Sequence, residues 1–87
     1  MDYANTEKIK SEIITALGYD PKSPPIQLDE TQAAIVLGLK TNTLAVWRST
    51  GRYKLPFIKI GRLVRYRVSD LAEFIARRTT EQTHLED

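Results

Sequence analysis

The stretch from residue 48 to residue 67 constrains the fold more than any other part of the chain. It holds seven basic side chains and no acidic one, and it is interrupted by Gly51, Pro56 and Gly61. Large apolar residues alternate with the charges, which a merely solvated basic run would lack. The pattern predicts a cationic hairpin that packs on a small core and faces a polyanion. The seven basic residues are Arg48, Arg52, Lys54, Lys59, Arg62, Arg65 and Arg67.

Charge is unevenly distributed along the 87 residues. The net charge is only +2, but residues 26–78 hold ten bases and four acids, a net charge of +6. The flanks are acidic, with −1 over residues 1–25 and −3 over residues 79–87. Such a field raises the local concentration and the association rate of an anionic partner. With 41% hydrophobic and 28% charged residues, the composition is that of one small globular domain.

The composition also argues against several functional classes. There is no cysteine, so disulfides, a zinc finger and a thiol nucleophile are excluded. The chain has no long apolar run and no signal-peptide pattern, so we expect a cytoplasmic protein without a membrane partner. His84 is the only histidine and has no metal-ligand spacing around it. No catalytic triad, phosphate-binding glycine loop or carboxylate pair can be assembled, so we expect no enzyme, metal site or cofactor.

The first 25 residues read as a helix followed by a linker. Four apolar residues form one stripe over residues 6–17, and Gly18 is suited to end that helix. Three prolines in residues 20–25 block both a helix and a central strand. The stripe is either packed on the main domain or on a second copy, or the helix is a solubilising arm. We therefore divide the chain into 1–25 (helix and linker), 26–78 (main domain) and 79–87 (acidic tail). The stripe consists of Ile9, Ile13, Ile14 and Leu17.

Two short helices are predicted next. Asp29 and Gln32 have capping-box spacing at the start of a helix over 30–37, and Gly38 is placed to end it. After a three-residue turn, a third helix is expected over about 42–50. Two short helices joined by a tight turn that contains glycine are typical of a helix-turn-helix.

A hairpin and a last helix complete the prediction. Two apolar-basic runs, 57–60 and 63–67, are separated by Gly61 and Arg62, which suits a type II′ turn. Their register stays open because apolar residues occur at both parities. Ser69 is expected to cap a final helix over 70–78. The fold class is therefore mainly α with a small β-hairpin, a winged helix-turn-helix preceded by an extra N-terminal helix.

The segment from Leu28 to Arg78 resembles the small winged helix-turn-helix domains of the phage excisionase (Xis) and AlpA regulator group, which is related to the MerR DNA-binding domain. The resemblance implies that the helix over 42–50 enters the major groove and that the wing reaches the backbone or minor groove. It implies a transcription regulator, or an excisionase acting as a recombination directionality factor. The resemblance rests on these residues and short motifs: Gln32-Ala33-Ala34, Leu37-Gly38, Thr43-Leu44, Trp47-Arg48, Gly51, Pro56, Ile60-Gly61-Arg62, Val64-Arg65-Tyr66, Ser69-Asp70-Leu71 and Phe74.

The chain departs from that group at Ala45 and Val46, where long polar or basic residues are usual. Short apolar side chains cannot form the paired hydrogen bonds that arginine makes to guanine, although they can contact a thymine methyl group. Affinity would then rest on phosphate contacts and DNA shape more than on direct readout.

Ten residues are candidates for contacting double-stranded DNA. Arg62 at the wing tip is the strongest, and Asn42 and Thr43 either contact DNA or cap their helix. Arg65 and Arg67 either contact phosphate or pair with a nearby acid. Trp47 is assigned to the core, because it lies three residues from an apolar neighbour. The full set is Lys40, Asn42, Thr43, Val46, Arg48, Arg52, Lys59, Arg62, Arg65 and Arg67.

Two functions remain open at this point. The first is a double-stranded DNA-binding regulator or excisionase, with an integrase, another recombinase or a second copy of the chain as a possible partner. The alternative is a protein-interaction adaptor, similar to a terminase small subunit or a recombinase-docking module, motivated by the apolar stripe of the first helix. RNA binding is less well supported, because most aromatic residues have a place in the predicted core.

Overall fold

The computed structural model describes residues 3–79, with side chains from residue 5 onward. The acidic tail predicted for 79–87 lies outside the described residues beyond Thr79, and so does His84. The fold is mainly helical, a winged helix-turn-helix with an additional N-terminal helix, as predicted. In chain order the elements are α1 (Tyr3–Ala16), β1 (Gln27–Asp29), α2 (Glu30–Leu37), α3 (Thr41–Thr50), a short 3₁₀ turn (Arg52–Lys54), β2 (Ile58–Ile60), β3 (Leu63–Arg67) and α4 (Val68–Arg78).

The predicted capping box sets the start of α2. The Asp29 carboxylate accepts from the backbone N–H of Gln32 at 2.8 Å, and the Gln32 side-chain oxygen accepts from the backbone N–H of Asp29 at 3.2 Å. The helix ends at Gly38, whose φ of 72° is left-handed and whose N–H donates to the carbonyls of Ala34 and Ile35. Both signals were local, and both are confirmed.

Helix α3 begins one residue earlier than predicted. Its N-cap is Lys40, and no side chain caps it. Asn42 and Thr43 therefore lie inside the first turn rather than at the cap, so the capping alternative for these two residues is wrong. Gly51 ends the helix with a φ of 70°, as predicted.

The predicted hairpin is confirmed as β2 and β3, and a strand that was not predicted, β1, extends the wing to a three-stranded antiparallel sheet in the order β1-β3-β2. Ile58 lies opposite Arg65, and Ile60 lies opposite Leu63 across the Gly61-Arg62 turn. Gly61 has a φ of 59° while Arg62 is not in the left-handed region, which fits the type II′ turn. The missed strand, β1, ties the root of the wing to the start of α2.

Helix α4 follows β3 without a connecting loop. Its N-cap is Arg67, so the prediction that Ser69 caps this helix is wrong. The backbone N–H of Val68 bonds the carbonyl of Ile26 at 3.0 Å, so the pairing of β1 and β3 carries the chain to the point where the helix begins. Asp70 in the first turn and the two arginines of the last turn suit the helix dipole.

Helix α1 packs on α4. Three isoleucines of its apolar stripe, Ile9, Ile13 and Ile14, are buried in the same core as α2, α3 and α4, with Leu17 against the edge. Gly18 ends the helix region with a φ of 81°. The alternative in which this stripe packs on the main domain is therefore the one that the structure confirms.

The core lies between the helices and the inner face of the sheet. Its largest fully buried side chains are Tyr66, Leu28, Leu44 and Leu71. Trp47 packs against the edge of this core and is partly exposed, in agreement with its predicted assignment to the core. Across residues 3–79, no helix combines the length and apolarity needed to cross a membrane.

Candidate nucleic-acid interface

The outer face of α3 is nearly uncharged. With about 100° between successive residues, Asn42, Ala45, Val46 and Ser49 share one side of the helix, opposite the buried Leu44. Val46 is 50% exposed at the middle of this side. The hydroxyl of Ser49 donates to the carbonyl of Val46 at 3.1 Å. The side-chain amide of Asn42 is therefore the main polar group that this face offers to a partner.

A carboxylate at the start of α2 joins α3 to the wing. The Oε2 atom of Glu30 lies 2.8 Å from Nε of Arg48, and its Oε1 atom accepts from Nη2 of the same guanidinium at 3.1 Å. The hydroxyl of Tyr66, on β3, donates to Glu30 Oε2 at 2.7 Å. Three elements thus meet at one side chain, which links α3 to the wing.

Burial and hydrogen bonding shift the pKa values of all three groups. The hydrogen bond from Arg48 lowers the pKa of the Glu30 carboxyl, burial opposes that shift, and the bond from Tyr66 lowers it further. The bond to Glu30 raises the pKa of Arg48 against the effect of burial. Burial chiefly, with the bond to Glu30, raises the pKa of Tyr66. The cluster is therefore an ion pair with a neutral phenol at neutral pH.

Arg48 is thus placed differently from the other candidate basic residues. Its side chain is only 22% exposed, and its guanidinium also lies 5.9 Å from the ring centroid of Phe57 at the root of the wing. Its Nε and Nη2 atoms both donate hydrogen bonds to Glu30. Any contact with a phosphate would have to be made by the remaining N–H groups. Sequence reasoning did not identify Glu30, although it is one of only four acids in residues 26–78.

Each of these four acids has a partner inside the domain. Asp29 caps α2, Glu30 pairs with Arg48, Asp70 pairs with Arg67 at 3.2 Å, and Glu73 pairs with Arg77 at 3.7 Å. Within residues 3–79, seven of the ten bases of this segment are left without an ion pair. The seven are Lys40, Arg52, Lys54, Lys59, Arg62, Arg65 and Arg78.

The register of the wing separates its basic residues between two faces. Lys59 lies opposite Val64 and so shares the face of Tyr66, which is turned to the core. Arg65 lies opposite Ile58 on the other face, where its Nη1 atom donates to the carbonyl of Val64 at 3.0 Å. Arg62 is exposed in the turn between the strands. The predicted wing contacts therefore do not form one surface: Lys59 is exposed on the sheet face that carries Tyr66, Arg65 and Arg67 lie on the opposite face, and Arg62 occupies the tip.

The turn after α3 was not recognised as a feature of the site. Tyr53 and Lys54 have positive φ angles of 64° and 52°, which is uncommon for residues other than glycine. The ring of Tyr53 lies 4.4 Å from that of Trp47 between centroids. Exposed Arg52 begins this turn, directly after Gly51 has ended α3. Nothing in the sequence marks this conformation.

No metal-binding group of three or more acidic or histidine side chains occurs among the described residues 3–79. The family model described as a helix-turn-helix domain matches residues 28–79, about three-fifths of the chain. Comparisons with curated proteins and with solved structures gave no match. The matched segment begins at the second residue of β1 and ends one residue after α4, so it contains the β2–β3 hairpin and omits α1.

Proposed function

We propose that this chain, which belongs to the helix-turn-helix domain family, binds double-stranded DNA as a transcription regulator or an excisionase of phage or prophage type. The family includes excisionase-like and AlpA-like regulators and is typically non-enzymatic. The observation that carries the proposal is the placement of α3, which exposes an uncharged face beside a cationic wing whose Lys59, Arg62 and Arg65 form no ion pair within residues 3–79.

Helix α3 is the element proposed to enter the major groove. Its exposed face is narrow, with small side chains at Ala45 and Ser49, so the helix backbone can approach the base edges closely. Asn42 has the donor and acceptor pair that matches an adenine edge, and Val46 offers methyl groups to a thymine. Sequence choice would thus rest on these two residues, with Thr43 directed to the backbone.

The wing is proposed to supply most of the affinity through phosphates. Arg62 at its tip has no ion pair within residues 3–79, so contact with a phosphate or the minor groove breaks no existing interaction. Lys59 and Arg65 are also unpaired, whereas Arg67 would have to leave Asp70. That pair is half-exposed, and such pairs contribute little to stability. We therefore place Arg67 among the weaker contacts, and Arg48 as a residue that mainly positions α3.

The adaptor function loses the observation that motivated it. The apolar stripe of α1 is used against α4 and is not presented to a partner. An integrase, another recombinase or a second copy of the chain as a binding partner stays a prediction of the excisionase hypothesis.

The test is fluorescence anisotropy of a labelled duplex over a salt titration. We expect duplex binding that weakens linearly in a log–log plot, with a slope of about −0.9 for each phosphate contacted. A single strand of the same length, which the aromatic residues of the core cannot stack against, should bind more weakly. Absence of duplex binding at low salt, or binding that is insensitive to salt, would overturn the proposal.

A further inference from the structure

Helix α3 has two flanks, and the wing covers only one of them. We propose that the other flank is a second phosphate-contact surface, formed by Arg52 and Arg78 on the exposed ring of Tyr53. This inference rests on the proposed function, because it names how the DNA backbone is held on the side away from the wing. Arg78, at the end of the last helix, was not among the residues predicted to contact DNA.

The two flanks follow from the contacts of neighbouring residues on α3. Going round the helix, Trp47 and Arg48 lie on opposite sides of the buried Leu44. Arg48 reaches the sheet through Glu30 and Phe57, so its side is the wing side. Trp47 reaches Tyr53 at 4.4 Å and Phe74 of α4 at 6.4 Å, so its side faces the end of α4. The exposed face of α3 lies between these flanks.

Two guanidinium groups converge on the second flank. The Arg52 guanidinium carbon lies 5.1 Å from the centroid of the Tyr53 ring, and that of Arg78 lies 5.8 Å from the same centroid. Arg78 is closer still to the Phe74 ring, at 3.8 Å. Neither arginine forms an ion pair with another described residue of the range 3–79. The rings hold both cations through their faces and leave N–H edges for an anion.

The backbone of the turn is adapted to this arrangement. Tyr53 is 43% exposed and keeps a left-handed conformation, which persists in a non-glycine residue only where its surroundings hold it. The tilted contact of its ring with Trp47, at 4.4 Å between centroids, is one such constraint. The turn therefore presents the ring near which Arg52 and Arg78 both lie.

The chemistry of this surface matches the backbone of a duplex. A helix in the major groove lies between two sugar–phosphate strands, and guanidinium groups bind phosphate through paired N–H donors. Thr43 lies one turn before Trp47 on the same side of α3, and Lys40 precedes it, which extends the cationic side along the groove. The wing would then contact one strand while Arg52 and Arg78 contact the other.

The test compares Arg78→Ala with Arg77→Ala in the full chain. The two arginines are adjacent, both exposed and equal in charge, but Arg77 pairs with Glu73 and has no contact with Tyr53. We expect Arg78→Ala to weaken binding to every duplex sequence and to reduce the salt slope by about 0.9, the value for one phosphate. Arg77→Ala should change the affinity by less than about twofold, because a distant exposed charge is screened.

A second comparison tests the role of the ring. Tyr53→Leu keeps every charge but removes the ring near which both arginines lie, so we expect a reduction of the salt slope at least as large as that of Arg78→Ala. Adding Arg78→Ala to Tyr53→Leu should cause no further loss. Thermal melting by circular dichroism checks that each variant is folded. If Tyr53→Leu does not fold, Arg78→Lys replaces it in the comparison, and we expect it to lose less affinity than Arg78→Ala. Equal losses for Arg77→Ala and Arg78→Ala, or none for Arg78→Ala, would overturn this inference. If the wild-type chain binds the duplex in a salt-dependent way, that failure leaves the proposed function standing.

Discussion

Two arginines from one basic run illustrate how position in the fold divides similar residues. Arg48 and Arg62 both belong to the stretch of seven bases without an acid. Arg48 is mostly buried, forms two hydrogen bonds to Glu30 and links α3 to the sheet. Arg62 is exposed at the tip of the wing and forms no ion pair with the described residues 3–79. The first is expected to contribute to stability, and the second to binding.

This difference extends to the regions around the two residues. Around Glu30, the polar atoms are matched to one another, so removing one leaves others unsatisfied in a site of limited solvent access. At the tip of the wing, the charge of Arg62 faces water and has no ion pair within residues 3–79, so removing it costs the folded state little. The boundary between a structural cluster and a binding surface thus runs through the basic run itself.

The largest expected effect comes from removing the carboxylate that holds Arg48. Glu30→Ala leaves both Arg48 and the hydroxyl of Tyr66 without their partner, and the Glu30 side chain is only 17% exposed. We expect the free energy of unfolding in urea to fall by about 2 kcal/mol. The matched control is Glu73→Ala, whose pair with Arg77 is half-exposed and should cost no more than about 0.5 kcal/mol. Similar losses for the two variants would show that the cluster is no different from a surface pair.

The next largest effect is on DNA binding. Arg62→Ala should leave the unfolding free energy within about 0.5 kcal/mol of the wild type. It should weaken binding to all duplex sequences alike and reduce the salt slope by about 0.9. Arg48→Met should do the reverse, lowering stability while leaving the salt slope close to its wild-type value. An exchange of these two outcomes would break the distinction between the arginines.

A smaller effect is expected from pH. The hydrogen bond from Arg48 keeps the pKa of Glu30 lower in the folded than in the unfolded chain. The stabilisation is therefore complete above the ordinary carboxyl pKa and is lost as the pH falls through the lower, folded value. Glu30→Gln should be less stable at neutral pH and should lose less stability than the wild type on acidification, measured by urea unfolding at each pH. A parallel decline of both proteins would assign the acid sensitivity to other carboxylates.

The smallest effect concerns sequence preference. Val46→Ala removes two methyl groups from the exposed face of α3, without touching a charge or the core. We expect an unchanged salt slope and unchanged affinity for a mixed-sequence duplex, with a loss of about 1 kcal/mol at the preferred site. Selection from a randomised duplex pool, with the wild type beside the variant, measures this. A uniform loss on all sequences would mean that Val46 is not used for readout.

Local signals in the sequence were sufficient for most of the elements. The capping box of Asp29 and Gln32 and the helix end at Gly38 concern atoms that are at most a few residues apart. The Gly61 turn is of the same kind. Such features follow from the conformational freedom and hydrogen-bonding groups of the residues themselves. Strand β1 was missed, because a three-residue edge strand has no period of its own. The start of α4 was predicted at Asp70, two residues after its true start at Val68.

The sequence by itself determined that this protein has two short helices, a basic hairpin and a cationic middle segment between acidic flanks. Only the tertiary structure decided which of the cations are used within the fold. Arg48 meets Glu30 across 18 residues, and Tyr66 meets the same carboxylate across 36. Arg78 meets Tyr53 in the same way, from a different helix. Periodicity and capping rules concern neighbours in sequence, whereas these contacts depend on how the chain packs around its core.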